Sequence, residues 1–487
     1  MTCVAPLRSA EPTPFWVLLS AFVAVLSGVA TLIGCGLWAW PVSGAVAVPF
    51  SVFVAMLCIC RTDWGLYVTA FAIGPLGIVQ CEVASITINL PEILILCLVA
   101  KEGVRFVLRG EGTNPDVPWR LLGLFMAMSC MALVVGLVNG NGTARVLQDF
   151  RQFTEYVLLY LLLTHRVRQP HQVQIILMAY LLGCTVLALH GIVQHFTDIG
   201  IPLNQALSDN VHFQGTRGGS FYGATPLGGL MVLATGVGLS LMLGRLKFPM
   251  KAAAALCMAV CLTGAVYTYT RASWVAIALT ILFVGLFITK TRRFIAVSAG
   301  AALVFLGTFG PLMVERLESI SFSRAEQSLH ERMNYYTVAW RIFCAYPLTG
   351  LGWGCQYRVS AILVNEGWAD NKQLPVRDVR KSTPPNEATV HSAYLQLLVK
   401  GGPGLLISFL LLIAAWLSLV WRAWKKSELG PQERNALVAL AGGLLGYMAH
   451  SGIENFFQWP VMAQSFWMLL AVSSALCFRG MEQRTTV

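Results

Sequence analysis

Four ionisable side chains stand where this chain could do chemistry: His391, Arg332, Arg271 and Arg217. His391 follows Pro384-Pro385-Asn386-Glu387-Ala388-Thr389-Val390 and leads through Ser392-Ala393-Tyr394-Leu395-Gln396 into a long apolar run. The prolines keep a helix from starting early and Thr389 can serve as its N-cap, so the pattern predicts His391 in the first turn of a helix. The positive end of the helix dipole favours an uncharged imidazole there, and an uncharged imidazole can take a proton from a hydroxyl. The bland alternative is an interfacial histidine that only caps or hydrogen-bonds.

Each arginine also carries two readings. Arg217 lies in Gly215-Thr216-Arg217-Gly218-Gly219-Ser220-Phe221, ahead of an apolar run from Ala224. Glycines let backbone N–H groups approach an anion and a helix N-terminus adds positive potential, so the stretch reads as a phosphate cradle or as a plain turn. Arg271 separates two apolar runs with almost no loop between them; an arginine in hydrocarbon costs roughly 2.5–3.5 kcal/mol, so it faces water, a partner or a ligand, or snorkels beside Trp274. Arg332 opens Arg332-Met333-Asn334-Tyr335-Tyr336, and by composition it is a solvated charge on a helix face.

Stepping outward, these groups need a scaffold, and composition says which kind. Of the 487 residues 56% are hydrophobic and 12% charged, against roughly a quarter charged in soluble domains. Apolar runs of the ~20 residues that cross hydrocarbon recur along the chain, which predicts an all-α, polytopic transmembrane helix bundle and excludes a barrel. Two spans fit between Phe15 and Cys60, read as retained rather than cleaved; others fall at 64–79, 86–100, 119–138, 151–164, 173–195, 224–243, 252–270, 273–289, 294–312, 394–421, 435–456 and 460–478, about fourteen in all. This divides the chain into N-terminal transmembrane helices (1–311), a large periplasmic loop containing helices (312–392) and C-terminal transmembrane helices (393–487).

With the N-terminus in the cytoplasm the short inner loops are basic, among them Lys101, Arg105 and Arg109; Lys290, Arg292 and Arg293; Arg422, Lys425 and Lys426. The net charge of +11 is therefore a topological signal and not a sign of nucleic-acid binding. Both termini come out cytoplasmic, and His391 and the three arginines come out on the opposite side. Ser321 to Tyr346 in the loop reads as an amphipathic helix with Tyr336, Val338 and Trp340 near apolar neighbours. Most cysteines sit in apolar runs as small hydrophobes; only Cys344 and Cys355 share the loop, and their pairing is left open.

Three motifs together are similar to one family. Arg217 precedes Gly-Gly-Ser-Phe; Arg332 precedes a helix-length segment and then Pro347-x-x-Gly350-x-Gly352; His391-x-x-Tyr394-Leu395-Gln396 precedes Gly401-x-x-Gly404-Leu405-Leu406. In this order the chain resembles the O-antigen ligase and O-antigen polymerase family of bacterial membrane glycosyltransferases, over its C-terminal two-thirds. Many members carry asparagine after the histidine, where this chain has Ser392. The resemblance implies transfer of a glycan from an undecaprenyl diphosphate-linked donor to a hydroxyl on a glycan or lipid acceptor, at the periplasmic face of the bacterial inner membrane. It implies His391 as general base, Arg217, Arg332 and Arg271 as ligands of the diphosphate, and Tyr394, Gln396, Gly350 and Gly352 in supporting places. No cofactor is expected, and no His, Asp and Glu cluster has metal-ligand spacing on the outer side.

A second polar cluster, His450, Glu454, Asn455 and Gln458, ends the penultimate span and reads as interhelical hydrogen bonding. His190 and His195 read likewise. Ligase, polymerase and protein O-oligosaccharyltransferase share the donor and differ in acceptor. The rival of another class is a transporter or flippase of an anionic lipid-linked substrate, which predicts paired interrupted helices and internal symmetry, neither visible in the sequence.

Overall fold

The computed structural model describes residues 62–77, 80–83, 86–109, 117–197, 218–220, 222–288, 310, 322–356, 359, 390–426 and 429–482. The chain is a multi-pass helical membrane protein. Its described helices are α1 (Thr62–Ala72), α2 (Leu90–Arg109), α3 (Trp119–Val138), α4 (Thr143–Arg166), α5 (Pro170–Thr197) and α6 (Ala224–Leu243). They continue with α7 (Phe248–Tyr267), α8 (Arg271–Phe287), α9 (Phe322–Ala345), α10 (Ala393–Lys426), α11 (Pro431–Ser451) and α12 (Pro460–Glu482), with a 3₁₀ turn at Phe456–Gln458.

Among the described residues six helices are long and apolar enough to cross a bilayer alone: α3, α5, α6, α7, α10 and α12. Helices α4 and α11 are of similar length. Helix α4 carries Asp149, Arg151 and Glu155 among its apolar residues, and α11 is rich in glycine, which lowers their apolar signal. The spans expected before Cys60 and, except for residue 310, at 294–312 lie outside the described residues, as do Arg217 and residues 360–389 of the 312–392 loop.

Two expectations are corrected. No single span covers 64–79: α1 has 11 residues, about 16 Å at the helical rise, and a turn containing Gly74, Pro75 and Gly77 ends it. The chain is also not purely α-helical, because β1 (Gln80–Val83) and β2 (Ile86–Asn89) pair as a short antiparallel hairpin.

Helices α6 and α11 form the closest-packed pair, and the reason is backbone proximity. A Cβ placed on Gly236 would lie 2.5 Å from the Gly443 Cα, so only glycine at both positions lets the two helices approach this far. Around them lies a core that includes Leu230, Leu233, Leu440, Leu444, Phe466 and Trp467. Arg151 on α4 reaches Glu92 of α2 at 3.1 Å and Glu155 at 3.2 Å, and Gln464 of α12 donates to Glu155 at 3.1 Å.

The amphipathic helix expected over Ser321–Tyr346 is α9. Tyr335, Val338, Ala339 and Ile342 recur at helical spacing and pack with Leu351, Val390, Leu395 and Val399. Trp340 departs from expectation: it is 61% exposed, on the opposite face. Cys344 is exposed and Cys355 buried, and no disulfide joins the two.

Candidate active site

The site is built where α9, the start of α10 and the end of α11 meet. Arg332 lies three residues before Tyr335, so the face that packs α9 against α10 also aims this guanidinium inward. Its Nη2 donates to Glu454 Oε1 at 2.9 Å. The other carboxylate oxygen, Oε2, lies 3.3 Å from His391 Nδ1. One carboxylate thus joins two groups that the sequence separates by 59 residues. The Tyr335 ring meets the imidazole edge-on, with centroids 4.7 Å apart.

This geometry sets the tautomer. A carboxylate only accepts, so Nδ1 of a neutral His391 carries the hydrogen and Nε2 keeps a lone pair. Glu454 is 13% exposed and His391 41%, so the carboxylate sits behind an imidazole open to an incoming group. Tyr336, on the same helix as Arg332, has its phenol pushed above the usual value by burial, so it stays protonated beside this chain of charges.

His391 does not lie in the first turn. Helix α10 begins at Ala393, and Thr389 lies outside the described residues. Ser392 is the cap: its hydroxyl accepts from Leu395 N at 3.4 Å. Gln396 Oε1 accepts from Val390 N at 3.2 Å, tying down the residue before the histidine. His391 is therefore held between a cap and a tether, just outside the helix. Ser392 caps the helix, and the imidazole takes its orientation from Glu454. Tyr394 donates to Met448 O of α11 at 2.9 Å, which clamps α10 beside the helix that leads into the turn carrying Glu454.

Gly350 and Gly352 support the site from a distance. Helix α10 kinks at Gly402 (φ 66°, ψ −170°), followed by Pro403. Proline has no N–H, so the Val399 carbonyl loses its helical partner. Leu351 N supplies one at 2.8 Å, and Gly352 N reaches Lys400 O at 2.9 Å. Gly352 has φ 84°, and a Cβ there would run into the backbone of Gly136 on α3. Beyond it Trp353 is fully buried, with its indole N–H on Ser129 O at 2.9 Å. Asp149 of α4 then accepts from Gly354 N at 3.0 Å and from Lys400 Nζ at 2.8 Å. The glycine motif is a plug that seats the C-terminal end of α9 in the kink of α10.

Of the residues read from the sequence, the structure brings together His391 and Arg332. Arg271 opens α8, is exposed, and makes no ion pair among the described residues. It lies near the same end of the bundle: α8 runs antiparallel to α11, its Ala276 carbonyl faces Gly446, and one further turn outward reaches the level of His450. Gly218 and Gly219, which follow Arg217, are held by Tyr267 O (2.9 Å) and by Gln194 Oε1 (3.3 Å), while His190 Nδ1 meets Ser220 Oγ at 3.0 Å. The hydrogen bonding expected of Glu454 is present: it joins Arg332 of α9 to His391 at the start of α10. What the sequence did not show is which side chains it meets, although a carboxylate at the end of an apolar run is costly and needs partners.

In this membrane helix bundle one carboxylate joins a guanidinium, a group that pairs with anions, and an imidazole, a group that accepts protons. Residues 253–410 match the family described as O-Antigen ligase, which bears out the resemblance read from the sequence. The match takes in Arg271, Arg332, Gly350, Gly352, His391, Tyr394 and Gln396; Arg217 and Glu454 lie outside it. No curated protein matches the chain.

Proposed function

We propose that the protein is an O-antigen ligase-like glycosyltransferase that moves a glycan from undecaprenyl diphosphate to a hydroxyl of a lipid-linked core or other glycan, at the periplasmic face of the inner membrane. The observation that carries this reading is the Arg332–Glu454–His391 chain. It sets a proton acceptor and an anion-binding group apart by two hydrogen bonds and the width of a carboxylate, room for a sugar carbon between attacking and departing oxygens.

In this mechanism His391 Nε2 takes the proton of the acceptor hydroxyl as its oxygen attacks the anomeric carbon. Glu454 holds the ring in the required tautomer and stabilises the imidazolium that forms. Attack opposite the leaving group inverts the configuration. The diphosphate departs with the bond electrons, and Arg332 pairs with it, assisted by Arg271 and Arg217. Guanidinium groups supply the positive charge, so the reaction needs no divalent metal. Before the donor arrives Arg332 is neutralised by Glu454, so the diphosphate takes over a guanidinium that is already positioned.

The test is reconstitution of the purified protein in liposomes with an undecaprenyl diphosphate-linked glycan and candidate acceptors, with and without a chelator. Turnover that survives chelation is expected. The His391→Ala variant should lose activity by about two to four orders of magnitude while unfolding at the same temperature. An alanine variant of full activity would remove His391 from the mechanism. Transfer to the core acceptor, as against extension of the lipid-linked glycan, separates ligase from polymerase.

A further inference from the structure

Buried polar atoms in folded proteins nearly always have a partner in the protein or in ordered water, so a cluster of them without one beside a candidate site calls for an explanation. Beside the Arg332–Glu454–His391 chain several such atoms occur. His450, one turn before Glu454, is 2% exposed and neither ring nitrogen has a hydrogen-bond partner. Asn455, directly after Glu454, is 5% exposed, and both atoms of its amide are unpartnered. Gln396 is 4% exposed; its oxygen holds Val390, and its Nε2 has no acceptor.

These side chains belong to the segments that carry Glu454 and His391. His450 is near enough to Glu454 and Arg332 to sense both charges, and its ring stands edge-on to Phe456 with centroids 4.6 Å apart. A neutral imidazole and a carboxamide each offer a donor and an acceptor together, the pairing that a hydroxyl satisfies. A diphosphate at Arg332 and an acceptor hydroxyl at His391 leave the transferred ring lying across Glu454, the residue that His450 and Asn455 flank.

We propose that His450 and Asn455 form a hydroxyl-binding subsite whose occupant is the sugar ring joined to the diphosphate, so that they set which first sugar is accepted. The inference rests on the glycosyl-transfer reading above. Ordered water offers the same O–H chemistry, and the experiment separates the two sources.

The probe is undecaprenyl diphosphate carrying one N-acetylhexosamine, compared with analogues in which one ring hydroxyl is replaced by hydrogen. Donor KM and kcat are measured in liposomes for the unaltered protein and for His450→Phe, Asn455→Leu and His450→Gln. For the unaltered protein, kcat/KM is expected to fall by about tenfold or more on one analogue. His450→Phe should lose a similar factor with the parent donor and no longer distinguish the two, while His450→Gln, which keeps a donor and an acceptor, restores part of the preference. If His450→Phe or Asn455→Leu fails to fold, the glutamine variant carries the test through an altered preference among the analogues. Variants that keep the unaltered donor KM and preference overturn the subsite and assign these atoms to water, leaving the transfer reading intact. No turnover by the unaltered protein with any lipid-linked glycan overturns both.

Discussion

His391 was legible because its neighbours announce a helix start, yet its working partner was not. Glu454 lies 63 residues further on, and nothing in either segment says that the two meet. The carboxylate was visible as an ionisable group ending an apolar helix, but whether such a group glues helices or serves a site depends on what stands opposite. At this scale the charge of Glu454 is the testable quantity. Glutamine keeps the shape and can still accept from His391 Nδ1, but it neither neutralises Arg332 nor stabilises an imidazolium. Glu454→Gln should therefore lower kcat by roughly two to three orders of magnitude, while the donor KM holds or falls because Arg332 is freed for the diphosphate. Steady-state kinetics over a range of donor concentrations read this split. A large rise in donor KM with kcat unchanged would contradict the assignment.

At the scale of elements, the deciding feature is the kink of α10. Gly402-Pro403 could be read as a helix interruption from sequence, since proline removes a hydrogen bond and glycine accepts positive φ. What the interruption receives could not: the Gly350–Gly352 turn, 50 residues earlier, takes up the freed carbonyls of Val399 and Lys400. The seat is locked by Lys400, 7% exposed, against Asp149, 15% exposed, with the ammonium 5.2 Å from the Trp353 ring centroid. Lys400→Met leaves the Asp149 carboxylate largely buried without its cation, a loss of roughly 3–5 kcal/mol. It should lower the unfolding midpoint in detergent. Adding Asp149→Asn should recover part of that loss, because the uncompensated charge is then gone. If the double variant lost the full sum of the two single effects, the pair would not be coupled.

Across the whole molecule, orientation is the open physical quantity, and an accessible thiol reads it. Cys344, near the end of α9, is exposed in a helix outside the apolar spans, whereas the other exposed thiol among the described residues, Cys130, lies within the apolar span α3; Cys184, Cys257, Cys261, Cys355 and Cys477 are buried. If α9 lies on the periplasmic side, a membrane-impermeant maleimide should label Cys344 in intact spheroplasts, and Cys344→Ser should remove that labelling. Labelling that appears only after the membrane is broken would place the site in the cytoplasm and end the proposed use of a periplasmic donor. The same scale explains why α4 and α11 fall short of the apolar standard for a span. Arg151 pairs with both Glu92 and Glu155 between α2 and α4, and the glycines of α11 serve backbone contact with α6 and α8.

By itself the sequence determined the medium, the helical class and the residues able to move a proton or hold an anion. Each of those follows from run length, local charge and the chemistry of single side chains. The tertiary structure alone decided that Arg332 and His391 share one carboxylate, that the Gly350–Gly352 turn seats in the kink of α10, and that Arg271 makes no ion pair among the described residues. Such pairings depend on which helix faces meet, and in a membrane, where nearly every residue of a span is apolar, periodicity says little about which faces those are.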